Sequence, residues 1–300
     1  MIVLTIGAYT NISKIKEYIS LEFEKITPKA LIPTYTIAKK GDIDFLYYEI
    51  DDDVLAQNYN FFFSDALKLH ATSALTNLIM DFIRFEIVKE ILEIHYQKYA
   101  SIERIKILEM TRAFFYENEN NEDPNALNYS YRKEIMDRLM DFFEDSNEFL
   151  LEGFVLFRLK DYRGKLEMVV RHIVSEYETQ KEYKEFLRLL KYFVDVQEMK
   201  EEIIHIIGLK EGGFKIYDKD KNDITERCKE EYKQDFSDKE INYDDLLVSA
   251  LITIAPRQIV IHHYEAIQNK PLIETISSIF QGKVTLCPKC EFCLNSNEIN

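Results

Sequence analysis

Glycine and proline are scarce in this chain, which has 8 glycines and 6 prolines among 300 residues. These two residues end helices and form tight turns, and an all-β sandwich or barrel needs them at short intervals. Their scarcity therefore favours long helices. Because 46% of the residues are hydrophobic and 30% are charged, the chain has enough apolar material for one large core or two smaller ones.

The spacing of apolar residues predicts an α+β fold in three parts. Residues 1–60 alternate strand and helix patterns and form a small N-terminal α/β element. Residues 61–200 have apolar residues every three or four positions and form a mostly helical middle region. Residues 201–300 form a C-terminal α/β module, in which the runs 203–209 and 214–217 are predicted to pair as a hairpin.

The chain is acidic, with a formal net charge of -15 at pH 7. Such a charge repels polyanions, so we expect no nucleic acid among its partners. No apolar run reaches the roughly 20 residues that cross a bilayer, and the apolar N-terminus lacks the basic segment of a signal peptide. The sequence thus predicts a soluble, cytoplasmic protein without a membrane span.

Three of the four cysteines lie in one short segment, which we call the cysteine knuckle: Cys287-Pro288-Lys289-Cys290-Glu291-Phe292-Cys293. Thiolates at this spacing on a tight turn can share one tetrahedral ion, typically zinc. Three sulfurs leave one ligand position open, and no further cysteine follows to complete an iron–sulfur cluster. A metal site and a reduced, mobile cysteine tail are both compatible with these residues.

The predicted topology supplies a fourth ligand. Residues 258–262 and 283–286 are predicted strands, and residues 271–280 are a predicted helix between them. If the two strands are parallel, their carboxyl ends lie at the same edge of the sheet, where open α/β sheets place their ligands. Cys287 would then lie beside the end of the first strand.

Two histidines end that first strand, His262 and His263. Because side chains alternate along a strand, one of the two imidazoles is expected to face the cysteine knuckle on either side of the sheet. We therefore predict a Cys3His zinc site, with Cys228 as the rival fourth ligand. Two partly exposed imidazoles that merely cap the strand are the alternative interpretation.

A second candidate site contains Arg158 and Arg163. Arg158 is four residues after Phe154 and four before Tyr162, which predicts that it lies on the apolar stripe of its helix. A buried arginine needs a carboxylate or a bound anion as its partner. With Arg163 on the same predicted helix, it could bind an anion, whereas an ion pair with an acidic neighbour is the structural alternative.

Four segments of the sequence resemble the YtxC-like sporulation proteins. They are the runs LEGFVLFRLKDY at 151–162, EYKEFLRLLKYFV at 182–194 and SALITIAP at 249–256, together with the closing Cys-x-x-Cys-x-x-Cys. The resemblance implies a cytosolic protein of endospore-forming bacteria that is associated with sporulation. It brings no established biochemical activity and no catalytic residues, so the candidate sites rest on the residues alone.

Two classes of function follow from these observations. In the first, the protein is a non-enzymatic interaction or regulatory factor that binds protein partners through its long helices and has a structural metal site. In the second, it is an enzyme or a small-ligand or anion sensor with a pocket near Arg158 or His262. The sequence has no P-loop, G-x-G-x-x-G, G-x-S-x-G or H-E-x-x-H motif to support catalysis.

Overall fold

The computed structural model describes residues 1–54, 63–117, 127–209, 213–233, 243–267 and 269–295. The chain forms two compact units, Met1–Tyr177 and Glu178–Asn300. Each unit has its own sheet and its own apolar core. The predicted α+β fold is confirmed.

The N-terminal unit contains a four-stranded sheet in the order β2-β3-β1-β4. Its strands are β1 (Ile2–Ala8), β2 (Thr34–Lys40), β3 (Ile43–Glu49) and β4 (Glu148–Leu150), and α1 (Ile12–Phe23) follows β1. Strand β4 pairs in parallel with β1, whereas the other neighbours are antiparallel. The sheet thus includes a strand from the middle of the chain, so the structure does not divide at residue 60, where the sequence pattern changes.

In the described ranges, the helices of eight or more residues between β3 and β5 are α2 (Phe63–Leu78), α3 (Arg84–His95), α4 (Ser101–Glu117), α5 (Leu127–Asp145), α6 (Leu151–Arg158) and α7 (Lys160–Val196). A π-helical turn, Ile79–Ile83, joins α2 to α3. The apolar positions at three- and four-residue spacing are buried together with the inner face of the sheet. Within the described ranges, every helix is too short or too polar for a bilayer crossing.

The C-terminal unit has a second sheet, in the order β6-β5-β7-β8. Its elements after α7 are β5 (Ile203–Gly208), β6 (Phe214–Tyr217), α8 (Thr225–Lys233), α9 (Tyr243–Ile254), β7 (Gln258–His262), α10 (Lys270–Ile279), β8 (Val284–Leu286) and α11 (Glu291–Asn295). Strands β5 and β6 form the predicted antiparallel hairpin. The turn residues 210–212 lie outside the described residues.

The β7–α10–β8 crossover positions the candidate site. Strands β7 and β8 are parallel, as the sequence predicts, with Ile261 opposite Leu286. Helix α10 buries Leu272, Ile276 and Ile279 at helical spacing, and Ile261 is fully buried in the central strand β7. These apolar faces fix the crossover against the core, so the two strands end at the same edge of the sheet.

Candidate metal centre

The cysteine knuckle begins directly at the end of β8. The backbone N–H of Cys287 donates to the carbonyl oxygen of Ile261 at 2.9 Å. This bond extends the parallel pairing by one residue, so it holds Cys287 beside His262, the last residue of β7. The knuckle then turns back, and the short helix α11 carries Cys293.

Four donor atoms lie close together: Nδ1 of His262 and Sγ of Cys287, Cys290 and Cys293, all within 4.8 Å of one another. Sγ of Cys293 is 3.7 Å from Sγ of Cys287 and 3.7 Å from Sγ of Cys290. Nδ1 of His262 is 3.6 Å from Sγ of Cys290 and 3.2 Å from Sγ of Cys293. Zinc bonds of about 2.3 Å to sulfur and 2.0–2.1 Å to nitrogen give tetrahedral edges of about 3.8 and 3.6 Å.

Burial keeps three of the four ligand residues away from bulk water, and Cys290 is partly exposed. His262 is 2% exposed, Cys293 is 4% exposed, and Cys287 is also buried. Burial, followed by the charges of His205 and His263, lowers the pKa of His262 to about 4, so its imidazole is neutral and has a lone pair for a metal. A neutral imidazole among thiols is the protonation state that coordination requires.

The thiols of the knuckle differ in their acidity. Burial raises the pKa of Cys293 to about 11. Burial also disfavours the thiolate of Cys290, but hydrogen bonds from the backbone N–H of Cys293 and from the neighbouring thiols outweigh it and lower the pKa of Cys290. A divalent cation would offset the cost of ionising the buried thiols, as it does in zinc–thiolate centres.

The second ring nitrogen of His262 is also engaged. Its Nε2 lies 3.0 Å from Nδ1 of His205 on β5. Phe292 packs edge-on against the His262 ring at 5.4 Å and against the His205 ring at 5.8 Å between centroids. With Nε2 of His262 as the donor, this hydrogen bond would leave Nδ1 with its lone pair and orient it toward the sulfurs, as the partners of metal-bound histidines do.

The two rival ligands lie outside this group. The carbonyl oxygen of Cys293 accepts a hydrogen bond from Nε2 of His263 at 3.3 Å, and His263 has a left-handed backbone with φ 47°. Its imidazole thus supports the backbone of the knuckle. Cys228 is buried in the apolar core of the C-terminal unit, on α8. Of the three predicted alternatives for the fourth ligand, the structure brings His262 to the cysteines.

Two backbone features adapt the chain to this arrangement. Lys289, inside the knuckle, has φ 127°, in the region that favours glycine. Gly208, at the end of β5, faces the backbone after His262, because an added Cβ would lie 2.9 Å from the carbonyl oxygen of His263 and 2.6 Å from Cγ1 of Ile267. Only glycine allows β5 to approach the end of β7 this closely.

Arg158 does not occupy the predicted position. The helix ends there, because Leu159 leaves the helical region with φ -107° and ψ 25°, and α7 starts anew at Lys160. Counting four residues from Arg158 to Tyr162 crosses this break, so the predicted stripe does not continue. Arg158 is exposed, and the prediction that it lies on an apolar stripe is wrong.

Arg163 lies on α7 and therefore not on the helix of Arg158. It forms a two-pronged ion pair with Glu90, with N–O distances of 3.0 and 3.1 Å. It also lines a cavity of about 300 Å³ in the N-terminal unit, whose other charged residues are Glu86, Glu90 and Glu152. Arg163 is therefore paired with an acidic neighbour, which is the structural alternative given for this candidate site. The three carboxylates that line the cavity repel an anion.

A different arginine, Arg84, is the buried one. It is 3% exposed and donates to the hydroxyl of Tyr162 at 2.9 Å and to Oδ1 of Asn128 at 3.0 Å. Its guanidinium also lies over the Phe115 ring, 4.2 Å from the centroid. Arg84 is four residues before the buried Val88, and both lie in α3, so the spacing that singled out Arg158 holds here within one helix.

The fold and the site define a two-unit α+β protein with a buried cysteine–histidine group that could hold a metal at the edge of its C-terminal sheet. The family model of the YtxC-like family matches residues 69–285, and the chain belongs to this family.

A curated relative, "Uncharacterized protein YtxC" of Bacillus subtilis (strain 168), is 27% identical over 164 residues. The match covers 54% of this chain and 56% of the relative, so the similarity spans little more than half of either protein. No solved structure matches the chain.

Proposed function

We propose that the protein is a non-enzymatic interaction or regulatory factor whose C-terminal unit is held together by a structural zinc ion. Cys287, Cys290, Cys293 and His262 are the proposed ligands. Its place in the sporulation of endospore-forming bacteria, and its cytoplasmic location, follow from the family resemblance. The protein partners are proposed to bind its long helices.

One observation carries this proposal: four of the six distances among the three sulfurs and the nitrogen are 3.2–3.7 Å, close to the edges of a zinc tetrahedron, and the other two are within 4.8 Å. Hydrogen bonding alone does not require three thiols and an imidazole to converge in a buried place. A divalent cation supplies the attraction that gathers them, and thiolate with imidazole is a ligand set that zinc favours.

The four protein ligands also argue for a structural role. Catalytic zinc sites have three protein ligands and keep one position open for water or substrate. Here the fourth position is filled by His262, which is 2% exposed. The metal would join the end of β7 to the segment after β8, and thereby fix the last described helix, α11, against the sheet.

The alternative function, an enzyme or anion sensor, needs a pocket at Arg158 or His262. Arg158 is exposed at the end of α6, and His262 is surrounded by sulfur atoms and the rings of His205 and Phe292. Neither arrangement offers converging polar groups to a small ligand. The acidic character of the chain likewise supports protein partners rather than nucleic acid.

Metal analysis of the purified full chain tests the zinc site. We expect about one zinc per chain, and cobalt in its place should give the absorption bands of a tetrahedral thiolate centre. The Cys287→Ser variant should lose the metal. Cys228→Ser, which changes a buried cysteine outside the group, is the matched control and should retain it.

The choice of histidine is tested in the same way. His262→Ala should reduce the metal content or weaken zinc binding at least tenfold, whereas His263→Ala should change it much less. Equal and negligible metal in the parent chain and in Cys287→Ser would overturn the site. Equal loss of metal in the two histidine variants would contradict the assignment of His262 as the ligand.

A further inference from the structure

One of the four proposed zinc ligands is open to solvent. Cys290 is partly exposed, whereas the other three ligand residues are buried. The residues on either side of it in the chain, Lys289 and Glu291, are exposed as well. A small oxidant in solution can therefore reach the sulfur of Cys290 more readily than the two buried sulfurs.

A second sulfur lies within reach of Cys290. Sγ of Cys293 is 3.7 Å away, and the backbone N–H of Cys293 donates a hydrogen bond to Sγ of Cys290. A disulfide bond is about 2.05 Å long, so the two sulfurs need to approach by only about 1.7 Å. Because both residues follow β8, the bond can form without a shift of the sheet.

Exposure distinguishes this pair from the other close pair of thiols. The sulfurs of Cys287 and Cys293 are also 3.7 Å apart, but both residues are buried. Cysteines that respond to oxidants are typically accessible and lie beside a second cysteine that resolves the first product. Cys290 meets the first requirement, and Cys293 meets the second.

We propose that the zinc centre is a redox switch, in which a peroxide joins Cys290 to Cys293 in a disulfide and the metal is released. This inference rests on the proposed zinc site and adds its regulation. The disulfide removes two of the four ligands in one reaction. His262 and Cys287 remain, and two protein ligands do not complete the tetrahedral set of a structural zinc site.

The reaction needs one peroxide molecule and no other oxidant. The thiolate of Cys290 attacks one oxygen of hydrogen peroxide, the O–O bond breaks, and the departing hydroxide takes up a proton to form water. The thiolate of Cys293 then attacks the sulfur of the resulting sulfenic acid. The S–S bond forms, the S–O bond breaks, and the second hydroxide also becomes water. Each sulfur loses one electron, the peroxide gains two, and the zinc ion leaves with its charge unchanged.

The disulfide does not replace the link that the metal provides. It joins two residues of the knuckle, whereas zinc would join the knuckle to His262 at the end of β7. Oxidation should therefore free α11 from this edge of the sheet, and a reducing thiol together with zinc should restore the attachment. The C-terminal unit would thus present one surface to a partner when reduced and another when oxidised.

Hydrogen peroxide added to the zinc-loaded full chain tests the switch. A chromogenic chelator measures the released metal, and mass spectrometry of peptides from the alkylated chain identifies the linked cysteines. We expect about one zinc released for each disulfide between Cys290 and Cys293, and dithiothreitol with added zinc should reverse both changes. Zinc that stays bound, release without a disulfide, or a disulfide that contains Cys287 would overturn the switch.

Two variants separate the role of Cys290 from that of the metal. Cys290→His keeps four zinc ligands but has no accessible thiol, so it should release zinc to peroxide at least tenfold more slowly than the parent chain. Cys228→Ser, which removes the buried cysteine outside the group, is the matched control and should release zinc at the parental rate. Equal rates in Cys290→His and the parent chain would contradict Cys290 as the first thiol to react.

The order of the reaction is also measured in the parent chain. Dimedone, which traps sulfenic acids, should label Cys290 ahead of Cys287 and Cys293, and first labelling of either buried cysteine would overturn this order. Failure of the switch and failure of the zinc site are distinguishable. A chain that binds no zinc overturns the zinc site and the switch with it, whereas a chain that holds its zinc in the presence of peroxide overturns the switch alone.

Discussion

Arg84 is a buried cation with neutral partners. Among the described residues no carboxylate forms an ion pair with it, and its guanidinium is held by Tyr162, Asn128 and the face of Phe115. Burial of a charge is costly unless hydrogen bonds and nearby π-electrons replace its water. The phenol, the amide and the ring together perform this role and link α3 to α5, α7 and α4.

Arg84→Met should therefore destabilise the N-terminal unit. Methionine fills a similar volume but leaves the Tyr162 hydroxyl and the Asn128 amide oxygen without their donor, which costs about 2–4 kcal/mol in total. Chemical denaturation measures the difference in the free energy of unfolding. Arg158→Met is the matched control and should change it by less than about 0.5 kcal/mol, because Arg158 is exposed. Equal effects of the two substitutions would contradict the burial that distinguishes these arginines.

Glu22 makes the stability of the same unit depend on pH. Its Oε1 lies 2.6 Å from Nζ of Lys25, and its Oε2 lies 3.6 Å from Nδ1 of His70. Burial alone would raise the pKa of Glu22, but the hydrogen bonds and charges of Lys25 and His70 outweigh it and lower the pKa below its ordinary value of 4.5. The carboxylate therefore stabilises the folded state above about pH 4.5.

Glu22→Gln should lower the melting temperature of the N-terminal unit at neutral pH, since the amide cannot replace the carboxylate beside Lys25. The difference from the parent chain should shrink as the pH falls below 4.5 and vanish once the pH is below the lowered pKa, because the parent carboxyl is then also neutral. Melting curves of both chains between pH 3 and pH 7 measure this. A difference that is constant over that range would contradict the ion pair.

At the scale of the elements, two glycines have opposite roles. Gly164 is an exposed residue of helix α7, near its N-terminus. A Cβ added there would meet no atom within 4 Å. Gly208 ends β5, where an added Cβ would lie 2.9 Å from the carbonyl oxygen of His263. The first glycine only weakens its helix, whereas the second allows the close approach of two elements next to the metal centre.

Gly164→Ala should stabilise the chain by about 0.5–1 kcal/mol, because alanine restricts the unfolded chain and favours the helix. Gly208→Ala should destabilise the C-terminal unit and weaken zinc binding, because the end of β5 or the backbone after His262 must shift. Thermal unfolding and competition with a zinc chelator measure the two effects. Unchanged zinc affinity in Gly208→Ala would show that the position of His263 does not influence the ligand His262.

The β7–α10–β8 crossover could be predicted from local sequence patterns, whereas the break between α6 and α7 could not. The β7–α10–β8 crossover follows from a buried apolar strand, an amphipathic helix and the near-invariant handedness of such units, so the neighbours at its edge could be predicted. The break between α6 and α7 could not, because Leu159 is an apolar residue without a helix-ending signal. The error at Arg158 follows directly from that break.

The described residues of the chain form two separate cores. The buried residues of Met1–Tyr177 form one cluster, and those of the C-terminal unit form another, whose strand residues lie on one face of the second sheet. All four proposed zinc ligands belong to the C-terminal unit. Loss of the metal should therefore affect one unit and leave the other intact.

Removal of zinc with a chelator should lower the unfolding temperature of the C-terminal unit by roughly 5–10 °C, because bound metal contributes to the free energy of folding. Hydrogen exchange measured by mass spectrometry should show faster exchange at the end of β7, in β8 and in α11, with residues 1–177 unchanged. Added zinc should restore protection, and Cys287→Ser should not respond to the chelator. Faster exchange throughout the N-terminal unit would contradict this independence.

Local patterns of the sequence were sufficient for the fold class, for the crossover at the C-terminal sheet, and for the approach of the three knuckle cysteines to the strand that ends at His262 and His263. These depend on local periodicity and on the chirality of the chain, which a sequence carries directly. The sequence patterns could not show that His262, rather than His263 or Cys228, faces the sulfurs, or that Arg84, rather than Arg158, is buried. Those choices depend on where a strand ends and where a helix breaks, and packing against distant residues sets both.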